Sequence, residues 1–228
     1  MKLTPLQAAY LGFGVIGAAV FGAFAYQQLQ PAPSTVAVPA LRPVDALPRA
    51  AAQPESNAVP ERRPEFTLHD LDGKPHALSA WDGKPLIVNF WATWCAPCRR
   101  EIPLLNRLQH EFSPKGFEVI GIAVDFADDV RAFKQSVAID YPLLVGEDDG
   151  LEAARGFGVE TMAFPFTAFI DAAGRVLLVH LGELHENQAR AILGVVARVD
   201  AGALAAGAAR TEIKAALAAL PATPAASH

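Results

Sequence analysis

Cysteine is nearly absent: the 228-residue chain has two, Cys95 and Cys98. That rules out a small scaffold stapled by several disulfides. A basic excess is also missing, since 24 Asp and Glu outnumber 19 Lys and Arg for a net charge of −5. With no cationic surplus to neutralise phosphates, nucleic acid is excluded as a partner. Charge is lacking altogether in one stretch, residues 6–29 (LQAAYLGFGVIGAAVFGAFAYQQL). As a helix, those 24 residues are long enough to cross a hydrocarbon core of about 30 Å. Lys2 is the only charge ahead of them, which favours a cytoplasmic N-terminus and an exported remainder. We read residues 1–30 as an uncleaved membrane anchor, because the run exceeds the roughly 7–15 apolar residues of a signal peptide. The competing reading is a cleaved signal peptide, for which Ala23-Phe24-Ala25 supplies a small-x-small site. Both readings take the body of the protein out of the cytoplasm.

Gly12-Phe13-Gly14-Val15-Ile16-Gly17 spells G-x-G-x-x-G, yet it lacks the preceding strand, the following amphipathic helix and the acidic residue about 20 positions on. It is not a dinucleotide site. Gly14, Ala18 and Gly22 recur every fourth residue, either as a close-packing helix face or as ordinary glycine-rich membrane composition.

Large apolar side chains are scarce in residues 31–64, where eight prolines and eight alanines fill 34 positions. Proline removes backbone donors and favours extended chain, so this stretch is read as a semi-rigid linker without a core. Residues 201–228 are biased too, with thirteen alanines in 28 positions. Arg210–Leu220 has helical propensity but a thin apolar face, and Pro221 ends it. This tail is read as a peripheral helix with a frayed end.

Residues 65–200 have the texture of a folded domain. Phe66–His69 and His76–Leu78 flank the turn Asp70-Leu71-Asp72-Gly73-Lys74 and predict a β-hairpin. Leu86–Trp91 is a short apolar run after Gly83-Lys84-Pro85, as a central strand buried on both faces requires. A helix follows from about Cys95 to Phe112, then a strand over Phe117–Val124 and helical spacing over Val130–Val137. Tyr141–Val145, a short helix over Leu151–Phe157, strands Phe166–Ile170 and Arg175–Leu181, and a helix over Glu186–Val199 complete the pattern. Such alternation predicts an α/β domain with a mixed sheet covered on both faces.

Cys95-Ala96-Pro97-Cys98 carries the chemistry. Covalent haem attachment needs a histidine next, and residue 99 is Arg. Structural zinc wants four ligands, but there is no second cysteine pair; His180 and His185 are the one suitably spaced pair in this body and lie far along the chain. A static disulfide here closes a tiny loop and gains little chain entropy. A redox dithiol remains. A strand ending at Trp91 delivers Cys95 to a helix N-terminus, where free N–H groups and the helix dipole favour a thiolate. Cys98 lies one turn further in and is less exposed, and Pro97 suits the first turn, where its missing N–H costs nothing. Arg99 and Arg100 either add positive potential or are ordinary solvated residues. The implied chemistry is exchange, in which the Cys95 thiolate engages a partner sulfur and Cys98 resolves the mixed disulfide.

The segment Val88-Asn89-Phe90-Trp91-Ala92-Thr93-Trp94-Cys95-Ala96-Pro97-Cys98-Arg99-Arg100-Glu101-Ile102-Pro103 resembles the active-site segment of the membrane-anchored TlpA/ResA-type thioredoxin-like proteins. The likeness spans residues 65–200. Phe66–Ser79 matches the family's N-terminal hairpin, and Phe164-Pro165-Phe166-Thr167 with Phe169-Ile170-Asp171 matches the segment that holds its cis-proline. The resemblance implies a thioredoxin-like fold with an N-terminal hairpin and an inserted α/β element. It implies that Pro165 is cis and faces the cysteines, so that Trp94, Ala96, Pro97, Phe164 and Pro165 shape the substrate groove. It further implies reduction of specific protein disulfides, in cytochrome c or copper-site maturation, by a domain on the periplasmic side of the inner membrane. The same resemblance implies a membrane electron donor of the thiol-relay type that recharges the pair, and no cofactor beyond the cysteines themselves.

Two positions depart from the pattern of thioredoxin itself. Where thioredoxin buries an aspartate ahead of the motif, this chain has Asn89, which cannot act as a base. Asp125, at the end of the next strand, is the acid/base candidate, its plainer role being that of a strand-end residue. Phe164 replaces a small or β-branched residue before the proline and alters which partners fit. Trp91 either walls the site or packs the core. Glu101, one turn beyond Cys98, is expected to be solvated and to complement the helix dipole, and Asp128-Asp129 and Glu147-Asp148-Asp149 are expected in solvated loops and helix starts. His180 is expected to be structural. Two rival classes stay open: a metal-handling module whose thiolates hold Cu(I), against which the missing Met/Cys cluster counts, and a redox-dead domain, against which the retained cysteines and their aromatic surround count.

Overall fold

The computed structural model describes residues 59–160 and 162–221. The anchor or signal reading of residues 1–30 and all but the last residues of the 31–64 linker lie outside the described residues, as do residues 222–228. Among the described residues, no helix is long and apolar enough to cross a membrane.

The expected hairpin forms from β1 (Thr67–Asp70) and β2 (Pro75–Ala77). Its turn is closed by Asp70, whose Oδ1 accepts from the amides of Asp72 and Lys74, both at 2.9 Å, and Gly73 supplies the left-handed residue (φ 80°). β3 (Leu86–Trp91) is buried at every position. Leu86, Val88 and Phe90 face one hydrophobic layer while Ile87 and Trp91 face the other, which explains why this strand reads as an apolar run broken only at Asn89. It pairs in parallel with β4 (Glu118–Val124) and antiparallel with β6 (Phe166–Ile170). β5 (Leu143–Gly146) continues the sheet from β4 in parallel, and β7 (Val176–Leu181) continues it from β6. With β1 on β5, the seven described strands run in the order β2-β1-β5-β4-β3-β6-β7.

Helices cover both faces, as the alternation predicts. α1 (Ala96–Phe112), α2 (Ala127–Ser136), α4 (Glu186–Asp200) and α5 (Ala206–Ala218) contribute to the layer around Ile87 and Trp91. α3 (Asp148–Gly156) and the hairpin cover the Val88 and Phe90 side.

Helix starts differ from the sequence reading for one physical reason. α2 begins at Ala127 and α3 at Asp148, each three residues before the expected position, with Asp128, Asp129, Asp148 and Asp149 in their first turns. Carboxylates there complement the helix dipole while leaving no apolar periodicity to read. The last helix also differs. α5 starts at Ala206 instead of Arg210, with Ala209 and Ile213 fully buried in the core. The Arg210 guanidinium donates to the Val176 carbonyl at 2.8 Å, fixing the helix to β7. Alanine adds little to an apolar stripe yet lets backbones approach closely, so a thin face still packs.

Candidate active site

The C-terminal ends of the parallel strands β3 and β4 and the N-terminal start of β6 meet at one end of the sheet, and the cysteines sit there. Cys95 is the N-cap of α1, and its Sγ accepts from the Cys98 amide at 3.3 Å. Ala96 and Pro97 form the first turn. The two cysteines are joined as a disulfide, with Cα atoms 5.3 Å apart. Cys98 is fully buried and Cys95 keeps 5% exposure, so the outer sulfur belongs to Cys95. The Cys98 N–H and the helix end are aimed at the Cys95 sulfur, an environment that favours an anion there.

The two arginines after the motif have different partners. Arg99 lies over the Phe133 ring, 5.6 Å from its centroid, and Arg100 forks onto Glu183 at 3.0 and 2.5 Å. Trp91 is wholly buried, 5.3 Å from Phe133, and so packs the core. Trp94 is 61% exposed beside the pair, its ring 6.3 Å from that of Phe164. The Phe164–Pro165 peptide is cis. Phe90 pairs with Phe166, so extending that register by one sets Pro165 opposite Trp91. The Pro165 carbonyl accepts from the Gly182 amide at 2.8 Å. Trp94, Phe164 and Pro165 thus share the cysteine end of the sheet with Ala96 and Pro97.

Asp125 ends β4 and commits both oxygens to backbone order. Its Oδ2 accepts from the Thr93 amide at 2.9 Å and the Thr93 hydroxyl at 2.6 Å, and its Oδ1 accepts from the Phe126 amide. It is a strut for the loop that presents Trp94 and Cys95.

Glu101 overturns its expectation. It is not solvated but buried at 2% exposure. Its Oε1 accepts from Asn89 Nδ2 at 2.7 Å and its Oε2 from the Leu184 amide at 2.7 Å. Asn89 Nδ2 also donates to Thr167 Oγ1 at 3.0 Å. Burial lifts the Glu101 carboxyl from 4.5 to about 7, against the lowering effect of those two donors, with the neighbouring Glu183 charge adding to the rise. Tyr141 is pushed upward as well, first by burial and then by the charges of Glu101 and Asp140. Burial at position 101 was legible from helical spacing. It falls three residues after Cys98, on the stripe that continues through Ile102, Leu105 and Leu108 into the core, and residues at that spacing share a helix face. Charge type misleads where helical position does not.

The AhpC/TSA family profile matches residues 59–179, more than half of the chain. The chain belongs to the AhpC/TSA family. Within that family it is similar to the thiol-disulfide oxidoreductase ResA of Geobacillus thermodenitrificans, with 33% identity over 56% of this chain and 71% of ResA. A solved thiol:disulfide interchange protein of the thioredoxin family from Chlorobium tepidum is 31% identical and superposes with a TM-score of 0.50, covering 71% of this chain and 99% of that one. A secreted thiol-disulfide isomerase from Corynebacterium glutamicum is 27% identical with a TM-score of 0.51, covering 55% and 79%. The TlpA/ResA-type branch of the AhpC/TSA family therefore holds this chain, and with the cysteine pair intact it is a thiol:disulfide oxidoreductase. Among the described residues no group of three or more His, Cys, Asp or Glu is placed to hold a metal ion.

Proposed function

We propose that this AhpC/TSA family member reduces disulfides of protein partners outside the cytoplasm. Cys95 is the attacking sulfur, Cys98 the resolving one, and Glu101 the group that exchanges the Cys98 proton. The observation that carries the reading is a helix-capping cysteine joined to a buried one, with a carboxyl of raised affinity for protons one turn below.

The reduced Cys95 thiolate attacks a partner disulfide, forming a mixed disulfide and releasing one partner thiolate. Cys98 gives its proton to Glu101 and attacks the Cys95 sulfur. That step closes the Cys95–Cys98 bond and releases the second partner thiolate, so two electrons have passed to the partner. A base with a value near 7 is matched to neutral pH, where it is populated in both forms. The cysteine pair itself is the redox group.

The charge-free run over residues 6–29 supports tethering in the inner membrane with this domain on the periplasmic side. The TlpA/ResA resemblance supports partners of the cytochrome c or copper-site maturation type and a membrane electron donor that reopens the disulfide. The test is insulin reduction by the wild type and Cys95→Ser: equal rates, or none in either, remove the reading. A pair potential near about −270 mV fits a reductase and one near about −120 mV an oxidant. Cu(I) titration of the reduced protein checks the metal-handling alternative; tight stoichiometric binding without insulin reduction favours it.

A further inference from the structure

We propose that Arg62, Arg175 and Arg210 form a binding site for a phosphate group, at the end of the sheet away from the cysteines. The three line one cavity of about 280 Å³, whose other lining residues are Glu61, Ala206 and Gly207. They come from three separate segments: the chain ahead of β1, the β6–β7 turn and α5. Because β6 runs antiparallel to β3, with Ile170 opposite Leu86, the turn after Ile170 lies at the far end from Trp91 and Cys95.

Backbone pairing builds the cavity wall. Arg62 and Arg175 face each other across an antiparallel bridge. On either side of it the Val176 amide donates to the Glu61 carbonyl and the Arg63 amide to the Gly174 carbonyl, both at 3.0 Å. Residues directly opposed in such a pair project to the same face, with Cβ atoms about 4.5–5.5 Å apart. Arg210 is held at the same place by β7, its Nη2 and Nε donating to the Val176 carbonyl at 2.8 and 3.2 Å.

The charge of this cluster is not answered from within. Like charges set directly opposite each other destabilise a strand pair. Carboxylates are in excess, 24 against 19 Lys and Arg, and Arg63, Arg100, Arg107, Arg131, Arg190 and Arg198 all reach one. Arg62 and Arg210 do not: among the described residues their partners are the carbonyls of Ala173 and Val176. A carbonyl orients a guanidinium without neutralising it. Arg175 is balanced by the buried Asp171, 2.6 Å from its Nε, and Glu61 is the one carboxylate in the lining. A guanidinium has five N–H donors, and these bonds use one or two on each. Three partly open forks offer more donors than the two oxygens of a carboxylate accept, and they suit the several oxygens of a phosphate. Glu61 and Arg62 fall in the proline-rich linker, so the phosphate can come from solution or from the headgroup of an anionic phospholipid beside the tether.

The experiment titrates the full chain, held in a neutral detergent, with inorganic phosphate and with micelles carrying phosphatidylglycerol or phosphatidylcholine. Calorimetry should show saturable binding with a Kd at or below about 1 mM. Arg62→Gln, a change at an exposed position, weakens it about tenfold, the scale of lost hydrogen bonds to a charged group. Glu61→Gln removes the opposing charge and tightens binding several-fold, a sign that damage to the fold would not give. Lys74→Gln, in the remote hairpin turn, leaves it unchanged. Binding of inorganic phosphate alone supports the site and assigns a soluble ligand. Binding of phosphatidylglycerol over phosphatidylcholine, with the same response to Arg62→Gln, supports it and assigns a lipid headgroup. No saturable binding of either, or equal weakening by Lys74→Gln, overturns the site, and insulin reduction by Cys95 and Cys98 is untouched by that result.

Discussion

Replacing Glu101 by glutamine removes a buried ionisable group while keeping the shape of its side chain, so the two proteins should part company as pH rises. The folded chain holds this carboxyl at about 7 against 4.5 for the free side chain. At about 1.4 kcal/mol per pH unit that is a preference of about 3 kcal/mol for the neutral form. A value raised by folding means that the stability is complete below about 4.5 and is lost as pH climbs through about 7. The Glu101→Gln variant carries no such dependence. Its new amide can be accommodated because Asn89 Oδ1 has no partner among the described residues. Turning the Asn89 amide over lets that oxygen accept from the introduced NH2 group, while the introduced carbonyl oxygen keeps the Leu184 amide. Urea unfolding of the oxidised protein is the assay, since the cysteines do not titrate while bonded. The stability of Glu101→Gln minus that of wild type should grow by about 3 kcal/mol between about pH 5 and about pH 8. Subtraction cancels shifts at groups remote from Glu101, among them Asp200 raised and His180 lowered by burial and Asp70 and Glu111 lowered by their partners. Parallel pH profiles for the two proteins would refute the burial argument, and with it Glu101 as the proton partner of Cys98.

Asp125→Ala leaves the Thr93 amide and hydroxyl without their acceptor and should cost about 1–3 kcal/mol in chemical unfolding. Insulin reduction should slow because the loop presenting Trp94 and Cys95 loosens; unchanged stability and rate would remove the strut. Ile213→Ala empties a fully buried site and should cost about 2–5 kcal/mol. A loss within about 0.5 kcal/mol, as at a solvated surface position, would mean that α5 is not part of the core.

Particular elements show what was readable along the chain. β3 and β6 occupy the residues expected of them, because strands buried on both faces are written as mostly apolar runs, here interrupted once each by Asn89 and Thr167. The carboxylates before Val130 and Leu151 do open helices as expected, but the spans of α2 and α3 were read three residues short, because apolar spacing begins only at Val130 and Leu151. Cys95 and Cys98 were legible because a strand, a tight connection and a helix N-terminus follow one another within a few residues. Glu101 was misjudged by residue type, although its spacing from Cys98 placed it on the buried stripe. Asp125 and Thr93, 32 positions apart, meet only through strand register.

The amino-acid order alone determined everything local: the apolar run without charge, the proline-rich spacer, the alternation of strand and helix, and a cysteine placed to cap a helix. Pattern and propensity act over a turn or two, so these features need no distant partner. Tertiary structure decided what happens where remote segments meet. It buried Glu101 against Asn89 and the Leu184 amide, tied Asp125 to the loop ahead of Cys95, and laid the Phe164 ring beside Trp94. A side chain's solvation, and therefore its proton affinity, is set by the atoms packed around it, and most of those atoms come from elsewhere in the chain.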